Sequence, residues 1–349
     1  MTTLIISHFM SCNFGDKTQS YSLLDKIKDT NVKLCNFSSF DDTKIKYNIF
    51  NKNVYSPIAI INDNEKILNC ILFTGSIGVS ASYNIYCEQI FEKVENNIIV
   101  IGGFSGDLHK NNINNLSYLF TNKKLIFYSR TCNELELYKL IGNMITNNNI
   151  VSKYKYGGDI IINNALPNIV INTNKNKNVF ILSYYLIQNI KDRYEYINLL
   201  KVLAITDRVV LIDEHSDNRV VSFLKDIKYS NEIIKSYNIK IIINALSDAR
   251  VVLSCRLHGA VLSTILGIPT YIIPSDNNKN DDIFIPDTSK ILGSFKFQSF
   301  VKQDFMCKII YYNDLENFVY SSYVINQEII NKYIELCIST ECEIINMIK

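Results

Sequence analysis

Arg256 and His258 stand two residues apart, where a short β-branched run gives way to an apolar segment. Val251–Ser254 reads as a buried strand and Leu257–Leu266 as a helix of small and apolar residues. Gly267-Ile268-Pro269 reads as the break before a further strand, Thr270–Ile273. A strand that hands over to a helix N-terminus presents side chains and backbone N–H groups to an anion. An arginine there can grip a phosphate or carboxylate through two parallel N–H bonds. A histidine, with an unperturbed pKa of about 6.5, suits proton transfer near neutrality. Each has a plainer reading, Arg256 as a surface partner of a carboxylate and His258 as a core residue bonded to a backbone carbonyl. Their occurrence together at one strand end favours the chemical reading.

Other candidates are more diffuse. Asp16, after Gly15, could meet a ligand or simply cap a helix. Gly15, Gly75, Gly102 and Gly103 allow either tight turns or close approach of backbone to a ligand. Asp159 could orient a loop at a domain junction or serve only as a structural hydrogen-bonding group. Asp213-Glu214-His215-Ser216-Asp217 has metal-like composition, but no second ligand cluster accompanies it, so a solvated loop is expected. Asp281-Asp282 reads as surface. His8 follows the first strand, as a cleft-edge residue would, and His109 has no assignable role. No metal site is expected: the nine cysteines are irregularly spaced without a CxxC, and none of the four histidines pairs with one at zinc-finger spacing. Buried, reduced thiols are the expectation.

The elements that must position these residues follow an alternating pattern. Strands are expected at Leu4–Ser7, Val32–Phe37, Cys70–Thr74, Ile98–Gly102 and Lys124–Tyr128, with helices at Gln19–Lys28 and Asn133–Gly142. The polar run 172–178 reads as a linker. The pattern then restarts with strand Val179–Tyr184, helix Tyr194–Ala204, strand Arg208–Asp213, strand Lys240–Ile243 and the motif region. Helically spaced apolar residues from Ile329 to Cys337 predict a closing helix or helix pair. Strand–helix alternation argues for parallel, doubly wound α/β sheets. Residues 1–172 form one expected Rossmann-like domain, 173–325 a second, and 326–349 a helical segment packing back on the body. Two such domains facing a cleft amount to a glycosyltransferase-B-like arrangement, with ligands at the C-terminal ends of strands.

Composition bounds the rest. The chain has 349 residues, enough for two domains, and is 47% hydrophobic and 20% charged, as a globular protein with a real core should be. A formal net charge of +2 offers no electrostatic footprint for non-specific nucleic-acid binding. The N-terminus lacks a basic n-region, and no apolar stretch approaches the ~20 residues of a membrane helix. Cytoplasmic residence is the expectation by elimination. The abundance of Asn, Ile and Lys points to an AT-rich genome, which accounts for the Asn-rich loops.

Ser254-Cys255-Arg256-Leu257-His258 followed by a helix and Gly267-Ile268-Pro269 resembles the signature region of the polysaccharide pyruvyl transferases. Other segments agree in order. Asn13-Phe14-Gly15-Asp16 resembles the family's N-terminal Asn-x-Gly-Asp, and Thr74-Gly75-Ser76-Ile77-Gly78 its glycine–serine turn. Ile101-Gly102-Gly103-Phe104-Ser105-Gly106 resembles a later glycine loop, here without the usual Gly-Pro ending. Tyr128-Ser129-Arg130-Thr131 resembles a strand-Arg-helix unit, and Gly158-Asp159 the Gly-Asp before the junction. His215-Ser216-Asp217 resembles a second-domain His…Asp loop, and Lys279 a lysine trailing the last signature strand.

The resemblance implies transfer of the pyruvyl group of phosphoenolpyruvate onto two sugar hydroxyls as a ketal. It implies Arg130, Arg256, Leu257 and Lys279 on the donor, and Arg256 and His258 in the chemistry, with His258 as base to the acceptor hydroxyl. Asn13, Gly15, Asp16, Gly75, Ser76 and His215 become the acceptor-side candidates. Phosphoenolpyruvate is then a co-substrate, with no cofactor and no metal. A glycan acceptor, including a lipid-linked one met at a membrane surface, is the expected partner. Two other readings stay open: a glycosyltransferase-B enzyme using a nucleotide sugar, and a degenerate, non-catalytic glycan-binding protein. Neither the acceptor sugar nor the oligomeric state is legible in the sequence.

Overall fold

The computed structural model of the chain describes residues 2–9, 18–27, 30–37, 48–49, 52–77, 81–104, 116–130, 132–169, 172, 174–212, 217–273, 307–310 and 312–349. The first sheet comprises β1 (Thr2–Ser7), β2 (Val32–Asn36), β3 (Asn48–Ile49), β4 (Lys52–Tyr55), β5 (Ile67–Ile77), β6 (Val94–Phe104), β7 (Leu125–Ser129) and β8 (Lys153–Tyr156). Their spatial order is β3-β4-β2-β1-β5-β6-β7-β8. All pairings are parallel except β3 with β4. The central strands are continuous apolar runs because helices cover both faces of a parallel sheet. Leu4 and Ile6 enter one core cluster with Leu72 and Val100, while Ile5 enters the other with Ile71 and Ile99.

The second sheet comprises β9 (Lys177–Ile181), β10 (Arg208–Leu211), β11 (Glu232–Lys235), β12 (Ala249–Ser254), β13 (Thr270–Ile272) and β14 (Lys308–Ile309). It is wholly parallel, in the order β11-β10-β9-β12-β13-β14. Successive strands therefore build outward in one direction from β9 and then in the other from β12. That reversal opens a crevice beyond the C-terminal ends of β9 and β12, the usual ligand position in such sheets. The first sheet reverses in the same way between β1 and β5. Two parallel α/β sheets of this kind make a glycosyltransferase-B-type fold.

Three expectations need correction. Lys240–Ile243 is not a strand but part of the helix Ile239–Ser247. Its buried residues, Ile242, Ile243, Ala245 and Leu246, share one helical face, and the Asn238 side chain caps the start by accepting from Lys240 N–H. A run of three isoleucines suits either element, and the cap decides. The strand next to β10 is instead the unforeseen β11. The strand expected at Val179–Tyr184 starts at Lys177, inside the expected linker, and stops at Ile181. Ser183 then caps the short helix Tyr184–Gln188.

The chain ends in one helix, Gln327–Ile348. Tyr333 and Cys337 pack into the core of the second sheet, whereas Ile344, Ile345 and Ile348 pack into that of the first. On the same helix Glu341 is fully enclosed; it pairs with Lys26 and accepts from Asn163 Nδ2 at 3.1 Å. One amphipathic helix thus fixes both halves. Among the described residues no helix is long and apolar enough to cross a membrane. Cys35, Cys70, Cys87, Cys307 and Cys337 are buried, Cys255 is partly so and Cys342 is exposed; none of these seven is in a disulfide.

Candidate functional site

β12 delivers the motif to the crevice, and Ser254 shapes the handover. Its hydroxyl accepts the Arg256 N–H at 3.1 Å and donates to the Arg256 carbonyl at 2.8 Å. This local bridge holds Arg256 extended (φ −125°, ψ 130°) as the cap of the helix Leu257–Ile265. The Arg256 carbonyl accepts Ala260 N–H at 3.0 Å, the first bond of that helix. Every residue from Leu257 to Ile265 is buried, so the motif has little freedom to move.

Gly259 permits this close packing. A Cβ there would meet Ile181 Cδ1 at 2.7 Å and Ser254 Oγ at 2.9 Å. Gly259→Ala is therefore expected to cost about 1–3 kcal/mol by overpacking. It should also displace the hydroxyl that holds Arg256. Thermal melting together with donor affinity checks this, and both should fall.

His258 is buried, and its Nε2 lies 3.5 Å from Asp159 Oδ2. A carboxylate in that place orients an imidazole and favours the tautomer with its proton on Nε2. Asp159 is itself held on two sides. Its Oδ1 accepts Ile161 N–H at 3.2 Å, and its N–H donates to Tyr333 Oη at 2.8 Å. Tyr333 Oη in turn donates to the Arg130 carbonyl at 2.9 Å. Just before Asp159, the N–H groups of Gly157 and Gly158 both donate to the Ser129 carbonyl, at 3.0 and 3.1 Å. Gly158 has φ +73°, and a Cβ there would sit 2.6 Å from Cys337 Sγ. One turn, Gly157–Asp159, therefore gathers the C-terminal end of β7, the closing helix and the motif histidine.

Arg256 is partly exposed, and its Cζ lies 5.0 Å from the ring centre of Tyr185. Leu257 is buried beside it. Arg130 follows β7 as expected, and its backbone joins the junction cluster, but its side chain is only 1% exposed. Access of a ligand to that guanidinium would need its cover to move. Gly75 and Ser76 lie within β5, near its C-terminal end. His8 follows β1 and is partly exposed. Asn13, Gly15, Asp16, His109, His215, Lys279 and Asp281-Asp282 lie outside the described residues. Asp217 departs from the solvated-loop expectation. It is fully enclosed at the start of the helix Asp217–Asp226 and accepts from Tyr237 Oη at 3.2 Å. Among the described residues no three His, Cys, Asp or Glu side chains are grouped to hold a metal ion.

Sequence reasoning missed two residues of this neighbourhood. Tyr333 appears in the sequence as one of several helically spaced apolar positions. Its hydroxyl is the distinguishing signal, because a buried tyrosine needs a hydrogen-bond partner. Tyr185 stands one residue past the expected strand Val179–Tyr184, with no local pattern in the sequence to set it beside Arg256.

Residues 136–277 match the family model described as polysaccharide pyruvyl transferase. The matched segment contains Asp159, Ser254, Arg256, His258 and Gly259, whereas Arg130 and Tyr333 lie outside it. No curated protein sequence matches the chain. Among solved structures, the chain resembles sucrose-phosphate synthase from Thermosynechococcus elongatus at 7% identity and a TM-score of 0.56, covering 99% of this chain and 98% of that one. UDP-GlcNAc 2-epimerase from Methanocaldococcus jannaschii is 12% identical, with a TM-score of 0.48 and coverage of 96% and 91%. UDP-GlcNAc 2-epimerase from Neisseria meningitidis, bound to UDP-GlcNAc, is 12% identical, with a TM-score of 0.47 and coverage of 98% and 100%. At 7% identity the likeness to sucrose-phosphate synthase is one of fold alone.

Proposed function

We propose that this chain, whose residues 136–277 carry the polysaccharide pyruvyl transferase pattern, transfers the pyruvyl group of phosphoenolpyruvate to a glycan diol. The observation that carries the reading is the strand-end pair: a rigidly held, partly exposed Arg256 beside a buried His258 backed by Asp159. The donor bears a phosphate and a carboxylate, and a guanidinium fork matches either. In the proposed reaction the methylene carbon of the donor takes a proton and the adjacent carbon becomes electrophilic. One sugar hydroxyl adds there, phosphate departs, and the second hydroxyl closes the ketal. Of the two hydroxyl protons, one ends in the new methyl group and the other leaves with phosphate.

His258 serves in this scheme as base to the attacking hydroxyl, with Asp159 stabilising the imidazolium that forms. Arg256 offsets the charge that gathers on the departing phosphate. The acceptor would enter from the first sheet, where β1 and β5 end.

Binding tests the donor assignment directly. Phosphoenolpyruvate at ~100-fold over its Kd should raise the Tm by roughly 2 °C or more, since a ligand bound only by the native state stabilises it. UDP-glucose should give no shift. The opposite pair of results would make the chain a nucleotide-sugar enzyme.

A further inference from the structure

Tyr185 is 52% exposed, although its phenol ring lies against the Arg256 guanidinium, with 5.0 Å from Cζ to the ring centre. We infer that Tyr185 is a positioning residue: its ring holds the Arg256 guanidinium ready for the anionic donor, an inference that rests on the donor reading above.

The topology places the two residues together. Tyr185 lies in the first turn of the helix that follows β9 and Arg256 caps the helix that follows β12, and β9 and β12 are the neighbouring strands at the reversal of the sheet. The two turns are also tied by backbone. Cys255 N–H donates to the Ile181 carbonyl at 3.0 Å. The Ser183 hydroxyl accepts Tyr185 N–H at 3.3 Å, fixing the start of the short helix. The ring is thus carried by a turn fastened to the one that carries its cation.

The chemistry follows from the shape of a guanidinium. Stacked on a ring, it uses its face and keeps its in-plane N–H donors for a carboxylate or phosphate. A long, flexible side chain confined in advance loses less freedom when the anion arrives. An exposed aromatic contributes little to the core, so its loss should weaken binding without unfolding the protein. A second stack on the same turn, Arg219 over Tyr184 at 5.1 Å, involves an exposed arginine outside the motif. Arg219 therefore serves as a control for charge alone.

The test measures Kd and KM for phosphoenolpyruvate, and Kd for UDP-glucose, in the full-length protein. Tyr185→Ala should raise the donor Kd and KM by about 3–30-fold, the range a partly desolvated cation–π contact supports. The kcat should change by less than ~2-fold, because the effect lies in ground-state binding. Tyr185→Phe should retain wild-type affinity, as only the ring face is needed. Arg219→Ala should change affinity by less than ~2-fold. In an Arg256→Ala background, Tyr185→Ala should add nothing, which marks a residue acting through its partner.

Equal donor affinity in wild type and Tyr185→Ala would overturn the inference. So would an undiminished effect in the Arg256→Ala background, which would make Tyr185 a direct ligand contact. If wild type binds UDP-glucose but not phosphoenolpyruvate, the donor reading fails while the same variants still judge Tyr185. If wild type binds neither anion, both fail.

Discussion

His258→Ala should lower kcat by about 10²–10⁴-fold while phosphoenolpyruvate still binds with nearly wild-type affinity. That range is the usual contribution of a positioned proton-transfer group. Retained binding is expected because the anion is assigned to Arg256, whose conformation is set by the Ser254 hydroxyl and not by the imidazole. The fold should survive as well: the imidazole contacts a carboxylate, while the helix is packed through its apolar residues. Asp159→Asn provides the companion measurement. An amide has nearly the same size but cannot stabilise the imidazolium, so kcat should fall with donor KM little changed. Steady-state kinetics with both variants, alongside donor affinity by calorimetry, separate the two terms. Wild-type turnover in His258→Ala would remove the histidine from the chemistry.

The second large effect is expected at Arg256. Arg256→Ala should weaken donor binding by roughly 30-fold or more, because it deletes a charged hydrogen-bonding partner in a sheltered site. The phosphoenolpyruvate-dependent rise in melting temperature should vanish with it. Arg256→Lys should not restore binding, since an ammonium offers a point charge in place of a planar fork. Unlike the histidine variant, this one should lose donor affinity as well as turnover. Full rescue by lysine would mean that only a positive charge is required, and the geometry assigned to the pair would be wrong.

Much of this site was legible in the chain itself. The run Val251–Ser254, the Arg-x-His spacing and the apolar helix after it name one local structure, because strand, cap and helix are all encoded within twenty residues. The same holds for the parallel sheets, whose central strands are uninterrupted β-branched runs such as Ile98–Ile101. What was not legible depends on distant parts of the chain. The Asp159–His258 approach joins residues ninety-nine positions apart, and nothing local to Gly158-Asp159 announces it. Tyr333 reaches the same turn from the closing helix, where its spacing reads simply as one more buried position. The helix Ile239–Ser247 is illegible for a different reason. Consecutive isoleucines carry no period of their own, and only the Asn238 cap and the buried face decide between strand and helix.

The Gly157–Asp159 turn explains why the site depends on both halves of the molecule. Ser129 at the end of β7 anchors the turn, Tyr333 bonds to it from the C-terminal helix, and Asp159 extends from it to the motif histidine. A change in how the sheets sit relative to one another would therefore alter the histidine's carboxylate support before it touched the motif itself.

Incubation of the purified chain with phosphoenolpyruvate and a panel of glycans, read by mass spectrometry with phosphate release followed in parallel, tests the central claim most directly. The account predicts that one glycan gains a carboxyethylidene group, with one phosphate freed per group added, in wild type and in neither Arg256→Ala nor His258→Ala. Sugar transfer from UDP-glucose to the same glycans, with phosphoenolpyruvate left intact, would contradict it.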